Sequence, residues 1–347
     1  MNVIESATAS HPRAADRWGG ETSGAVLMSV VVPVYGNRET LVELVHRLEN
    51  ICERLGGRME VIFVIDGSPD DSGELLQTLL EASSLRARLL WHSRNFGAFA
   101  AIRSGLAVAE GSYMAVMAAD LQEPVELTLG FYEALASGDY DVAVGLRRVR
   151  HDPVASRIGA LWFWSIYRRW VQPDMPRGGV DVFACTRNVR DALLMLPESN
   201  SSLVGLLIWL GYRRAEISYD RAPRAAGSSA WTLRKKLRYL LDSVYSFTDL
   251  PINLLLGVGV TGTLLTSIGI VVVFLGWALG AIHVSGYTPI MLTLLTTGSL
   301  ILSGLGVVGS YVWRTYENSK RRPHAVTMLG ESFDERSDDA EAAWRPR

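Results

Sequence analysis

The sequence predicts a doubly wound, mostly parallel α/β sheet followed by two apolar helices. Three observations carry this prediction. Strand-like and helix-like stretches alternate from Met28 to Ala136. Two stretches near the C-terminus, from Asp249 to His283 and from His283 to Arg314, contain no Asp, Glu, Lys or Arg between those ends. Basic residues crowd the outer flanks of that pair and are missing from the connection between them.

Met28 to Val34 is a continuous apolar run, the signature of a strand buried on both faces. Glu39 to Leu55 follows, with Leu41, Leu44, Val45, Leu48, Ile51, Cys52 and Leu55 spaced for one face of a helix. Met59 to Ile65 reads as a second buried strand and Asp71 to Ala82 as a second helix. Further strands are expected at Arg88 to Trp91, Tyr113 to Ala119 and Asp141 to Gly145, separated by helices at Phe99 to Ala109 and Val125 to Ala136. This is βαβ alternation, and in such sheets ligands collect at the carboxyl ends of the strands.

Beyond Arg150 the pattern is less regular. Ile158 to Val171 reads as an aromatic-rich helix and Val180 to Thr186 as a short strand. Trp231 to Tyr245 reads as an amphipathic helix, basic on one side and rich in Leu and Tyr on the other, a composition suited to a membrane surface. Pro251 to Ile282 and Pro289 to Trp313 each exceed the roughly 20 apolar residues that cross a bilayer. Arg234, Lys235, Lys236 and Arg238 precede them, and Arg314, Lys320, Arg321 and Arg322 follow. By the positive-inside rule both flanks are expected in the cytoplasm and the loop around His283 to Pro289 outside. The tail from Glu331 is acidic and polar and is expected to be unstructured.

The formal net charge of -2 gives no sign of nucleic-acid binding. Cys52 and Cys185 are the only cysteines, too few for a disulfide framework, and both read as buried thiols. The segment up to Gly24 lacks the apolar core of a signal peptide, so the globular part is expected to stay in the cytoplasm. The expected division is a segment 1–27 without fixed structure, a catalytic domain 28–230, an interfacial helix 231–250, a membrane hairpin 251–313 and a cytoplasmic tail 314–347.

Three strand ends carry polar groups: Val31 to Asn37 (VVPVYGN), Val64 to Asp71 (VIDGSPDD) and Ala118 to Pro124 (AADLQEP). Taken alone, Asp66-Gly67-Ser68-Pro69 is a good turn; three such groups at one sheet edge make a site. Ser93-Arg94-Asn95-Phe96-Gly97, Arg221-Ala222-Pro223-Arg224 and Gly227-Ser228-Ser229 complete the set. Together, in this order and with the two spans, the motifs resemble glycosyltransferase family 2 over roughly Met28 to Trp313. Within it they look like the polyprenyl-phosphate glycosyltransferase branch, which includes dolichol-phosphate mannose synthase and the bactoprenol glucosyltransferases.

The resemblance implies a GT-A type nucleotide-sugar-binding domain that binds a UDP- or GDP-linked sugar. The residues matching the donor side are Pro33, Tyr35, Asp66, Gly67, Ser68, Arg94, Asn95, Gly97 and Asp120. It also implies a divalent cation, Mg²⁺ or Mn²⁺, held against the donor diphosphate by Asp120 and Gln122, with Asp120 the catalytic carboxylate. Two departures stand out. The family's Asp-Asp pair is reduced to Ile65-Asp66, and its Asp-x-Asp to Ala118-Ala119-Asp120, and Ala118 cannot ligate a metal.

A lipid phosphate is itself the nucleophile and needs no strong general base. Arginines suit such an acceptor because a guanidinium binds two phosphate oxygens at once. Arg147, Arg150, Arg221 and Arg224 are the candidates, with Ser228 or Ser229 as hydroxyl donors. The expected reaction is inverting transfer of a sugar to polyprenyl (undecaprenyl) phosphate at the cytoplasmic membrane, by a multi-pass membrane protein that forms homo-oligomers and feeds envelope glycan assembly. Two rivals remain. A processive polysaccharide synthase would carry Gln-x-x-Arg-Trp, and Ile166 to Trp170 lacks the Gln. A non-catalytic nucleotide- or lipid-binding scaffold draws support from Ala118, and Asp66, Asp120 and the arginines argue against it.

Overall fold

The computed structural model of the 347-residue chain describes residues 26–148, 165, 167–169, 171–176, 179–196, 198, 201–222, 241–248, 250–279, 287–320 and 322–333. The first half alternates as expected: β1 (Met28–Val34), α1 (Leu41–Arg54), β2 (Met59–Ile65), α2 (Ser72–Glu81), β3 (Arg86–His92), α3 (Ala98–Val108), β4 (Tyr113–Val116), α4 (Leu127–Ala136) and β5 (Val142–Arg147). Then come β6 (Phe183–Thr186), α5 (Arg187–Leu194), α6 (Leu203–Trp209), β7 (Arg214–Tyr219), α7 (Leu250–Ala278), α8 (Tyr287–Ser319) and β8 (Thr327–Phe333).

The strands form one eight-stranded sheet in the order β7-β5-β6-β4-β1-β2-β3-β8. β1 runs parallel to β2 and β4, β2 to β3, and β5 to β7; β6 and β8 are antiparallel to their neighbours. Alternation along each strand sends side chains to opposite faces. Val30, Val32 and Val34 of β1 pack with Leu44, Leu48, Leu76 and Phe131 from α1, α2 and α4. Val31 faces the other way, with Ile102 and Leu106 of α3 and Leu206 of α6. Gly105 lets α3 lie directly on β1, since a Cβ there would sit 2.4 Å from the Val31 side chain.

Several elements differ from the sequence reading. Tyr113 to Ala119 does not stay in the sheet to its end: β4 stops at Val116 and the chain then turns toward Asp120. α5, α6 and β7 occupy the stretch that reads as irregular. The tail is not unstructured from Glu331 on, because Glu331, Ser332 and Phe333 belong to β8, which pairs from Ala87↔Phe333 to His92↔Thr327. Only Met328, Leu329 and Phe333 of its seven residues are apolar, which hides it from a search for apolar runs. Most of the expected helix 158–171 and residues 231–240 of the expected interfacial helix lie outside the described residues; 241–247 are helical.

α7 and α8 form an antiparallel pair in which Gly304 brings them together, a Cβ there falling 3.0 Å from Leu255. Among the described residues no helix is long and apolar enough to cross a membrane. The pair is tied to the sheet domain through helix 241–247. Arg314 Nη2 donates to Asp242 Oδ1 at 2.7 Å and lies over the Tyr245 ring, while Phe247 packs where a Cβ on Gly205 would come within 2.6 Å.

Candidate active site

The parallel register sets the ends of β1, β2 and β4 side by side, and the chain leaves each of them as a polar loop. These loops are bonded to one another and within themselves. Gly36 N donates to Ser68 Oγ at 2.8 Å, Ser68 Oγ donates to Asp70 Oδ1 at 2.5 Å, and Thr40 Oγ1 donates to Ala119 O at 2.6 Å. Tyr35 is half exposed at the rim, and Pro33 sits within β1 beneath it.

Asp66 is only 2% exposed, and both carboxylate oxygens are used inside the protein. Oδ1 meets His92 Nδ1 at 2.9 Å and accepts the Phe96 amide at 2.8 Å; Oδ2 accepts the Gly97 amide at 2.7 Å. Burial works against the charge, yet the His92 contact and the two amides outweigh it and hold the carboxyl below its ordinary value. Asp66 therefore shapes the Arg94–Gly97 loop from beneath. Gly67 has φ +59°, and a Cβ there would stand 2.5 Å from the backbone of Arg94 and Asn95, so only glycine allows the two loops to touch. Arg94 and Asn95 are exposed on top, with the Arg94 guanidinium 4.1 Å from the Phe96 ring centre.

After β4 the chain turns through Asp120 and Leu121, whose φ of 55° makes it the one non-glycine in the left-handed region among the described residues. Such strain persists where the surroundings impose it and gathers at functional sites. Asp120 Oδ1 accepts the Gln122 amide at 3.3 Å. Gln122 accepts twice from the segment after β7: its side-chain oxygen from Arg221 Nη2, and its carbonyl from Ala222 N at 2.9 Å. Arg221 Nε also lies 3.4 Å from Glu123 Oε1.

Residues that sequence reasoning missed complete this half of the site. Burial pushes the Glu123 carboxyl up to about 7 against the pull of Arg221, with Asp120 adding repulsion. Its Oε2 has no hydrogen-bond partner among the described residues. Arg147, at the end of β5, forms a two-pronged pair with Asp181, and Tyr219 OH donates to Asp181 Oδ2 at 3.0 Å. Burial alone would lower the Arg147 pKa; the Asp181 fork more than offsets it. The signal for Glu123 was its place directly after Gln122; Asp181 offered only a polar residue at the head of an apolar run.

Of the expected site, the structure gathers Pro33, Tyr35, Asp66, Gly67, Ser68, Arg94, Asn95, Gly97, Asp120, Gln122, Arg147 and Arg221 at the loop edge of the sheet. Arg150, Arg224, Ser228 and Ser229 lie outside the described residues. Among the described residues no group of three His, Cys, Asp or Glu side chains is arranged to hold a metal ion.

Residues 29–189 match the family model described as "Glycosyl transferase family 2". Across 299 residues the chain is 31% identical to "Uncharacterized glycosyltransferase sll0501" of Synechocystis sp. strain PCC 6803, covering 85% of this chain and 93% of that one. The chain belongs to glycosyltransferase family 2. It is also 31% identical over 304 residues to "Undecaprenyl-phosphate 4-deoxy-4-formamido-L-arabinose transferase" of Aeromonas hydrophila, covering 86% of this chain and 91% of that one. It is 28% identical over 310 residues to "Bactoprenol glucosyl transferase" of Shigella phage SfV, covering 86% and 97%. This family-2 transferase thus resembles proteins named for lipid-linked sugar transfer along nearly their whole length.

Proposed function

We propose that this glycosyltransferase moves a sugar from a nucleoside diphosphate to a polyprenyl phosphate, with inversion, at the cytoplasmic face of the membrane. The observation that carries the reading is the meeting of two chemistries at one sheet edge. The Asp120–Gln122 loop serves the donor diphosphate, and Arg221, held by that same loop, serves an incoming phosphate. The names of the relatives support the acceptor class.

The acceptor oxygen would attack the anomeric carbon and the nucleoside diphosphate would leave. Arg147 and Arg221 would bring the anionic acceptor in, exchanging internal carboxylate and amide partners for phosphate oxygens. A divalent cation, Mg²⁺ or Mn²⁺, would supply charge neutralisation to the leaving diphosphate. The ligands on offer are oxygens only, Asp120 with Gln122 beside it, and such a set fits a hard cation bound chiefly through substrate phosphates and water.

We propose from the sequence that the segments 251–282 and 289–313, the first of which runs on into residues outside the described ones, cross the membrane. The sequence has no Asp, Glu, Lys or Arg over 250–278 or 287–313, and Leu254, Leu265, Ile268, Leu294 and Leu305 each leave more than half their surface exposed. A lipid phosphate cannot leave the bilayer surface, and Arg314 with helix 241–247 ties the domain to that surface. Purified protein, radiolabelled UDP- and GDP-sugars and undecaprenyl phosphate test the function, and a chloroform-soluble labelled product is expected. Label released only as free sugar, or built into long polymer, would overturn it. An impermeant thiol reagent should label a cysteine placed at Ser285 in intact cells and spare one placed at Lys320.

A further inference from the structure

His92 and Ser104 lie outside every motif that points to the activity, yet they join the donor side of the site in one hydrogen-bonded chain. Asp66 at the end of β2 meets His92 Nδ1 at the end of β3, at 2.9 Å. His92 Nε2 meets Ser104 Oγ, two turns into α3, also at 2.9 Å. With the Asp66 carboxylate accepting, Nδ1 carries the proton, and in the neutral ring Nε2 accepts from the serine hydroxyl. The ends of β2 and β3 and the helix α3 are thus pinned by three side chains.

An Asp–His–Ser series invites comparison with a nucleophilic triad, but burial decides against it. Ser104 is only half-buried, but the His92 side chain is 0% exposed and that of Asp66 4%, so the base and its carboxylate are sealed in the layer beneath the site and cannot pass a proton to a substrate leaving group. Apolar residues of similar size would fill this helix–sheet layer with less desolvation. A satisfied buried polar chain in such a place specifies a single geometry. What it specifies here is the loop directly above. Asp66 takes the Phe96 and Gly97 amides at 2.8 and 2.7 Å, and the His92 ring meets the Phe96 ring edge-on with centroids 5.6 Å apart. Phe96 in turn carries the Arg94 guanidinium. On the other side Ser93 N donates to Val326 O at 3.0 Å, so the loop is fixed from the strand after the helical pair as well.

We propose that His92 and Ser104 are positioning residues for the nucleotide donor, acting through Asp66 and Phe96 to hold Arg94 and Asn95 at the rim of the site. The proposal rests on the reading that the Arg94–Gly97 loop meets the donor. Supporting groups of this kind change ligand affinity by about tenfold when removed.

The test uses the full-length protein and calorimetric titration with UDP and GDP, each with MnCl₂, alongside steady-state kinetics and thermal unfolding. His92→Phe should weaken binding of the preferred nucleotide about tenfold and leave the KM for undecaprenyl phosphate unchanged. His92→Asn keeps an N–H for Asp66 and should recover most of the loss. Ser104→Ala removes only a hydroxyl and should weaken nucleotide binding in the same direction by a smaller factor, even where His92→Phe fails to fold. A lowered Tm with nucleotide affinity unchanged in Ser104→Ala, or in a folded His92→Phe, would reduce the chain to a structural brace and overturn the proposal. Arg94→Ala separates the two levels. If it leaves nucleotide binding intact, the donor-loop reading falls and the proposal with it; if it weakens binding while the His92 and Ser104 variants do not, the proposal alone falls.

Discussion

The two halves of the site are built on different principles. On the proposed donor side, the ends of β1, β2 and β3 present loops that bond mainly to neighbouring loops and backbone amides, with Asp66 as hub and Gly67 as point of contact. On the proposed acceptor side, arginines are held by partners from distant segments: Arg147 by Asp181, and Arg221 by the Gln122 side chain and Glu123. The first arrangement is preorganised and needs no ligand to satisfy it. The second holds its arginines on internal partners that, in the proposed reaction, a phosphate would replace. The difference teaches where rigidity and exchange belong in a transferase whose two substrates are both anionic.

The sharpest way to break this comparison lies where the halves meet. Asp120→Ala removes the one carboxylate left in the metal motif. It should lower kcat by about a thousandfold, the order of 4 kcal/mol that a metal can contribute to a developing charge, while circular dichroism stays native. Near wild-type turnover would detach Asp120 from the leaving group. Next in size is Arg221→Ala. It should raise the KM for undecaprenyl phosphate by about tenfold to a hundredfold and change nucleotide titration far less, because charge-assisted hydrogen bonds to phosphate contribute roughly 1.5–3 kcal/mol each. A defect seen only in nucleotide titration would move Arg221 to the donor side and erase the division.

A stability measurement sharpens the donor half. The folded state depresses the Asp66 pKa, so its contribution is present above the ordinary carboxylate value and is lost as pH falls through the lower folded-state value. Asp66→Asn should cost about 1.5–3 kcal/mol near neutrality in urea unfolding, and the difference from wild type should shrink in acid. A difference independent of pH would mean that the carboxylate charge is not what the loop uses. The smallest effect is expected in the core behind both halves. Burial pushes the Cys185 thiol up to about 12 and raises that of Cys52, so both stay protonated at pH 8. Neither should react with a thiol-specific dye until the protein unfolds; rapid labelling of the native protein would show that the sheet opens.

The sequence by itself determined most of the donor half. β1 and β2 fall at the expected bounds because strands buried on both faces leave long apolar runs, and a strand end followed by Asp-Gly-Ser or Asp-Leu-Gln marks the loop edge. Arg147 and Arg221 were legible as well, but the partners that hold them left no such mark. Asp181 meets Arg147 and Tyr219, and Glu123 meets Arg221, only because β5, β6 and β7 lie side by side in an order the chain does not follow. The role of Asp66 changed for the same reason: as sequence it is a turn residue facing a ligand, and in the fold its oxygens are taken by the neighbouring loop. β8 is the plainest case. A short, half-polar strand has no periodicity of its own to announce it, and it becomes a strand because the edge of β3 offers unpaired backbone groups to the chain returning from α8. Local pattern fixes what each segment can be; pairing between distant segments decides which charges meet.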